Sequence, residues 1–235
     1  MHYLGTAPVG GVISKGIDAN AFAWRTIEFV EAQLPLWRDD PNRPNATAEE
    51  ELNGQLCKFL NDRARDHFPM AFFHHEEKQG ARRRVDMSVL PSSGALAAVQ
   101  YSGTIYEPFL VMEGKRLPTP TAARKREYIT GITEQSGGIQ RFKLCLHGAD
   151  HSIAVMIGYI QQKNEAYWEG SLNTWISELA TSCEDTTCSW SANDLLSKSG
   201  NSLVLGRTRR ESNHDRVGRP GIGPVKLIHL WVSMQ

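Results

Sequence analysis

The chain has 235 residues, with 26 Lys and Arg balanced by 26 Asp and Glu. Zero formal charge excludes a polybasic protein that holds nucleic acid by bulk charge alone, while leaving room for a local basic groove. A hydrophobic content of 40% and a charged content of 22% are those of an ordinary globular chain, and no apolar run reaches the roughly 18 residues that a membrane span needs. The opening stretch MHYLGTAPVGGVISKGIDAN has no charged segment followed by an apolar block, so no secretory signal is expected and the expected compartment is cytoplasmic. Cys57, Cys145, Cys183 and Cys188 are too few and scattered for a disulfide scaffold. Cys183 and Cys188 form one C-x4-C pair with no matching second pair, which reads as two reduced thiols ahead of a zinc site.

Residues 1–17 are Gly-rich and read as an extended lead-in. Asp18 is placed to cap a helix through AFAWRTIEFVEAQL, with Phe22, Ile27, Val30 and Leu34 at helical spacing. Pro35 and the RDDPNRPN stretch are expected to end it. A second helix is expected from Thr47, where Thr47 and Glu50 have the spacing of a capping box, and Pro69 closes it. AFFHHEEK, RRRVDMSVL and EPFLVMEGKRL read as strands, the first two joined by QGAR. PFLVM is a continuous apolar run, as a central strand buried on both faces requires. Helical sequence returns at about 122–133 and 139–146. HSIAVMIGYIQ is a strand and NEAYWEGSLNTWISELA a helix. NSLVLGRTRR and VKLIHLWVSM are two more strands around a Gly/Pro/Arg-rich loop. This order predicts one mixed α/β domain, a central sheet flanked by helices.

The chemistry concentrates on Asp86 in RRRVDMSVL and on Glu113-Gly114-Lys115 in FLVMEGKRL. Side chains alternate along a strand, so Glu113 and Lys115 share a face. A Glu and a Lys at the end of a buried run are costly unless paired or bound to something. With Asp86 on the neighbouring strand, two carboxylates and an ammonium converge. Two carboxylates suit a hard cation such as Mg²⁺, which keeps its waters and takes a phosphate oxygen. The lysine would orient a water or stabilise charge on the phosphate. On the helix TAEEELNGQLCKFL, at about 100° per residue, Glu49 falls on the stripe of Leu52, Leu56 and Leu60 while Glu51 points away. Glu49 is therefore the preferred third carboxylate and Glu50 the second.

This pattern resembles the PD-(D/E)xK nuclease superfamily. Asp86, Glu113 and Lys115 match its signature residue by residue, with Val85 where the superfamily commonly has proline. EGKRL at 113–117, GGIQRF at 137–142 and MIGYIQ at 156–161 look like a bacterial group of restriction-endonuclease-like proteins. The resemblance implies an αβββαβ restriction-endonuclease-like core over residues 45–185. An N-terminal helix and loop (1–44) would precede it, and a C-terminal β extension of the same domain (186–235) would follow. It implies a Mg²⁺-dependent endonuclease, with Mn²⁺ as a substitute, acting on DNA more readily than RNA, with a place in anti-phage defence or restriction. Asp86, Glu113 and Glu49 would hold metal and Lys115 would assist the attack. Arg116, Arg124, Gln140 and Arg141 would contact substrate. A homodimer or a partner protein stays open. The alternative is a catalytically silent module of the same fold that binds nucleic acid or a protein.

Other groups carry weaker signals. Basic residues cluster at Arg82–Arg84, at Arg124-Lys125-Arg126 and at Arg207, Arg209, Arg210, Arg216 and Arg219, where they would rim a groove or form solvated faces. His74, His75 and Glu77 read as strand side chains rather than ligands. His147 and His151 flank a loop with no partner visible from spacing. No P-loop, GxGxxG or GxSxG motif is present.

Overall fold

The structure, a computed structural model, describes residues 17–79, 83–100, 102–131, 135–182, 185–198, 209–217, 219 and 221–235. A two-residue strand β1 (Ile17–Asp18) leads into α1 (Ala19–Arg38), whose first turn is capped by the Asp18 carboxylate accepting from the N–H groups of Asn20 and Ala21. The expected stop at Pro35 does not occur. Proline removes only its own N–H, and this one lies in the last turn, so the helix continues and buries Trp37. The second helix, α2 (Glu49–His67), starts later than expected and forms no Thr47–Glu50 capping box. Thr47 is held outside the helix because its carbonyl accepts from Gln161 Nε2 at 2.8 Å.

Strands β2 (Ala71–Lys78) and β3 (Arg84–Pro91) follow, then a short helix α3 (Ser93–Ala98) and β4 (Val99–Gln100), which pairs in parallel with β1. Next come β5 (Leu110–Leu117), α4 (Gly138–Lys143), β6 (Ile153–Ile160) and α5 (Glu165–Ser182). The chain ends in β7 (Ser197–Lys198), β8 (Arg210–His214) and β9 (Val225–Ser233). The helix expected at 122–133 is instead a single 3₁₀ turn at Ala122–Arg124 and a chain of tight turns to Thr130. The reason is competition for carbonyls. Those of Glu127, Tyr128 and Ile129 accept from the first N–H groups of α4, at Gly138, Ile139 and Gln140, so none is left for a local helix. Of the strand expected at NSLVLGRTRR, residues 201–208 lie outside the described residues.

Seven strands make one mixed sheet in the order β2-β3-β5-β6-β9-β8-β7. The first three are antiparallel, β5, β6 and β9 run parallel, and β8 returns antiparallel to β9. Helices cover both faces. Ile27 and Leu34 of α1 and Leu56 and Leu60 of α2 pack on Met112 and Ile157. Phe142 of α4 and Leu172 and Ile176 of α5 pack on Val111 and Met156. As PFLVM suggested, β5 is central, and seven of its eight residues are buried.

Candidate active site

The pairing of β3 with β5 runs over Val89↔Leu110, Ser88↔Val111 and Met87↔Met112. Beyond Met87 the side chain of Asp86, not its backbone, takes the next ladder donor: Gly114 N–H donates to Asp86 Oδ2 at 2.8 Å. Here the two strands part, and the charged side chains of β5 enter the space. Glu113 is fully buried and Lys115 is 3% exposed. Lys115 Nζ lies 3.0 Å from Glu113 Oε1 and donates to Glu49 Oε1 at 2.7 Å. The other Glu49 oxygen accepts the Arg116 backbone N–H at 3.1 Å. Four sequence-predicted residues, Glu49, Asp86, Glu113 and Lys115, thus meet from three elements. Glu50, the second candidate of the Glu run, faces solvent, and Glu49 is the member that reaches Lys115.

Two further residues complete the cluster. Arg141 Nη1 donates to Glu113 Oε1 at 2.7 Å. His147 Nδ1 lies 3.1 Å from Glu113 Oε2, off-line for a hydrogen bond, so both buried atoms lack a hydrogen-bond partner. Sequence placed Arg141 near a phosphate and left His147 in a loop without a role. What brings His147 inward is the end of α4. Cys145 adopts φ 55° and the N–H groups of Leu146 and His147 both turn back to the Arg141 carbonyl. No spacing in the sequence encodes that reversal.

Electrostatics follow from the arrangement. Burial opposes charge on Lys115, but Glu113, Asp86 and Glu49 overcome it and hold the ammonium pKa above its ordinary value. Burial likewise opposes charge on Glu113, and Lys115, His147 and Arg141 outweigh it, holding this carboxylate well below the usual range. Asp86 differs. Burial first, then the Glu113 charge, push its carboxyl up to about 7. Among the described residues Asp86 makes no ion pair, its hydrogen bond being to a neutral backbone N–H.

A divalent cation fits these donors. Glu113 Oε2 is a buried oxygen without a hydrogen-bond partner, and the Asp86 carboxyl, within reach of the Lys115 charge, makes no direct ion pair among the described residues. Two such oxygens and retained waters are what Mg²⁺ asks for. Glu49, expected as a metal ligand, accepts from Lys115 with one oxygen and from the Arg116 backbone N–H with the other, and in this arrangement it anchors the lysine. Among the described residues no three His, Cys, Asp or Glu side chains form a ready-made metal shell.

The remaining candidates lie apart. The Arg116 guanidinium binds Gln161 Oε1 at 2.9 Å, and Arg124 pairs with Glu127 at 2.6 Å. Gln140 is buried and fully engaged, accepting from Gly131 and Gly137 N–H and donating to Asp185 and Thr187, so it holds the 131–138 loop rather than substrate. The basic clusters are largely spoken for. Arg84 pairs with Glu76, Arg126 with Glu178, Arg209 with Glu31, Arg210 with Glu165 and Glu169, and Arg219 with Asp150. Arg82, Arg207 and Cys183 lie outside the described residues, and Cys188 is buried with its thiol on Asp185.

A second polar cluster has the atom order of a nucleophile relay. Ser212 Oγ meets His214 Nε2 at 2.6 Å, and His214 Nδ1 meets Asp194 Oδ1 at 2.5 Å. Ser212 Oγ also meets His229 Nε2 at 2.7 Å, and His229 Nδ1 meets the Tyr128 hydroxyl at 2.9 Å. Ser212 is 1% exposed and both histidines are fully buried, so no substrate reaches the hydroxyl and the chain of bonds is a core fastener. Burial lowers the pKa of both histidines, with His214 and Arg210 adding to the effect at His229. A group with a depressed folded pKa stays neutral in the fold while the unfolded chain takes a proton below about pH 6.5. Stability is therefore expected to fall as pH drops from 7 to 5, by up to about 1.4 kcal/mol per pH unit for each histidine. Urea melts at pH 7, 6 and 5 should show a shallower slope in His229→Gln.

No helix among the described residues is long and apolar enough to cross a membrane. Comparison with known proteins finds no family model that matches the chain, no similar curated protein and no similar solved structure.

Proposed function

We propose that the chain is a metal-dependent nuclease of the PD-(D/E)xK type with a restriction-endonuclease-like fold, cleaving phosphodiester bonds, in DNA ahead of RNA. One observation carries this reading. Glu49, Asp86, Glu113 and Lys115, which the resemblance picked out from a helix and two strands, converge on one splayed strand pair. The order α2, β2, β3, β5, α4, β6 supports the αβββαβ core that the resemblance implies.

Asp86 and Glu113 would hold Mg²⁺, or Mn²⁺ in its place. Bound there, the cation would polarise the phosphodiester and lower the pKa of its water. Lys115 stays protonated among its carboxylates, so it acts as a fixed positive charge toward the phosphate rather than as a base. Glu49 anchors that ammonium and sets its position from the start of α2. Arg141, a quarter exposed and tied to Glu113, stands at the edge of the cluster where a phosphate oxygen would arrive. Hydrolysis would form the water O–P bond and break the P–O3′ bond, leaving a 5′-phosphate. A role in bacterial defence follows from the resemblance.

The test is an assay of purified protein on supercoiled plasmid, linear duplex, single-stranded DNA and RNA, with Mg²⁺, Mn²⁺ or EDTA, beside Lys115→Met. Cleavage that needs metal and vanishes in the variant supports the reading. Cleavage that survives the variant places the chemistry elsewhere. No cleavage with any substrate favours the silent module.

A further inference from the structure

Within this reading, one pair of atoms bears on which cation the site takes. Glu113 Oε2 and His147 Nδ1 face each other at 3.1 Å, both side chains are at most 1% exposed, and neither atom has a hydrogen-bond partner. Such orphans are rare in a folded core, because a buried polar atom without a partner has lost its water and gained nothing in exchange. The rest of Glu113 is saturated: its Oε1 receives both Lys115 and Arg141. Its Oε2 is left facing the imidazole. Two ligand atoms about 2.1 Å from one cation and 3.1 Å from each other subtend about 95° at it, the angle of adjacent octahedral positions. The Asp86 carboxylate accepts from the Gly114 N–H at 2.8 Å, beside Glu113 in the chain, and has no ion-pair partner among the described residues.

We infer that His147 is a nitrogen ligand to the cation held by Glu113 and Asp86, and that the site accordingly prefers a first-row transition ion such as Mn²⁺ to Mg²⁺. Imidazole binds these ions well, whereas Mg²⁺ seeks oxygen and holds its waters. The reversal at Cys145 then has a purpose beyond ending α4: it delivers the third ligand from a loop.

The experiment uses Mn²⁺ alone, with no substrate. Mn²⁺ is added at one equivalent to the whole protein and its electron spin echo envelope is recorded. Modulation from a directly bound ¹⁴N is expected, replaced by the ¹⁵N pattern when the protein is grown on ¹⁵N-histidine, a comparison that needs no variant to fold. Glu113→Gln should remove the signal, and His147→Asn should weaken Mn²⁺ binding by about tenfold or more while changing Mg²⁺ binding little. Bound Mn²⁺ without nitrogen modulation overturns the ligand role of His147 but leaves the carboxylate site intact. Nitrogen modulation that persists in Glu113→Gln overturns it too, placing the ion at another histidine such as His74 beside Glu77. No bound Mn²⁺ at all overturns both this inference and the metal-dependent reading beneath it.

Discussion

Lys115→Met is expected to cut metal-dependent cleavage by about 10³-fold and to lower the unfolding free energy by about 3 kcal/mol. Both effects come from one atom. Lys115 Nζ sits between Glu49 at 2.7 Å and Glu113 at 3.0 Å, almost out of water. Methionine keeps the volume but removes the charge. Glu49, a quarter exposed, can turn to solvent. Glu113 cannot, and is left with Arg141 as its counter-charge. Much of the lost stability is therefore the cost of a buried carboxylate short of one counter-charge. Neutralising it should separate stability from chemistry. Lys115→Met/Glu113→Gln is expected to unfold closer to the parent than Lys115→Met does, and to remain without cleavage. Urea melts and plasmid cleavage on the same three preparations check this. A double variant no more stable than Lys115→Met would mean that packing around the lysine stem, rather than charge, holds this part of the core.

The reach of the sequence varied with the range of the interaction. Strand β2 spans the residues expected, and the alternation of Glu113 and Lys115 on β5 was readable because both are local. Helical phase set Glu49 apart from Glu51 for the same reason. The failures sit where distant backbone intervenes. Residues 122–130 have helical composition, yet the carbonyls of Glu127, Tyr128 and Ile129 are taken by α4. Thr47 has the right neighbours for a cap, yet Gln161, 114 positions on, claims its carbonyl. Gln140 was expected to contact substrate and is instead buried, accepting from the Gly131 N–H and donating to Asp185. His147 carries no local signature at all. It reaches the site through a turn whose geometry only the packed chain defines.

The x of the E-x-K triplet shows the same lesson from the other side. Gly114→Ala is expected to destabilise the fold by about 3 kcal/mol and to reduce cleavage with it. Gly114 faces α2, and a Cβ there would stand 2.0 Å from Asn53 Oδ1, 2.9 Å from Asn53 Cγ and 3.0 Å from a ring carbon of Tyr159. Neither neighbour is free to yield. Asn53 is 1% exposed and accepts the buried Tyr159 hydroxyl at 2.7 Å. The added methyl must move α2 or β5. Moving α2 carries Glu49, one turn before Asn53, away from Lys115; moving β5 breaks the Gly114 N–H bond to Asp86. Either way the carboxylates lose register with the ammonium. Asn53→Ala should relieve the clash at the cost of the tyrosine's partner. The double variant Gly114→Ala/Asn53→Ala is therefore expected to be more stable than the sum of the two single losses, with a coupling of about 1–2 kcal/mol. Strict additivity in the urea melts would show that α2 and β5 do not meet through this pair, and would remove the physical reason for a glycine between the glutamate and the lysine.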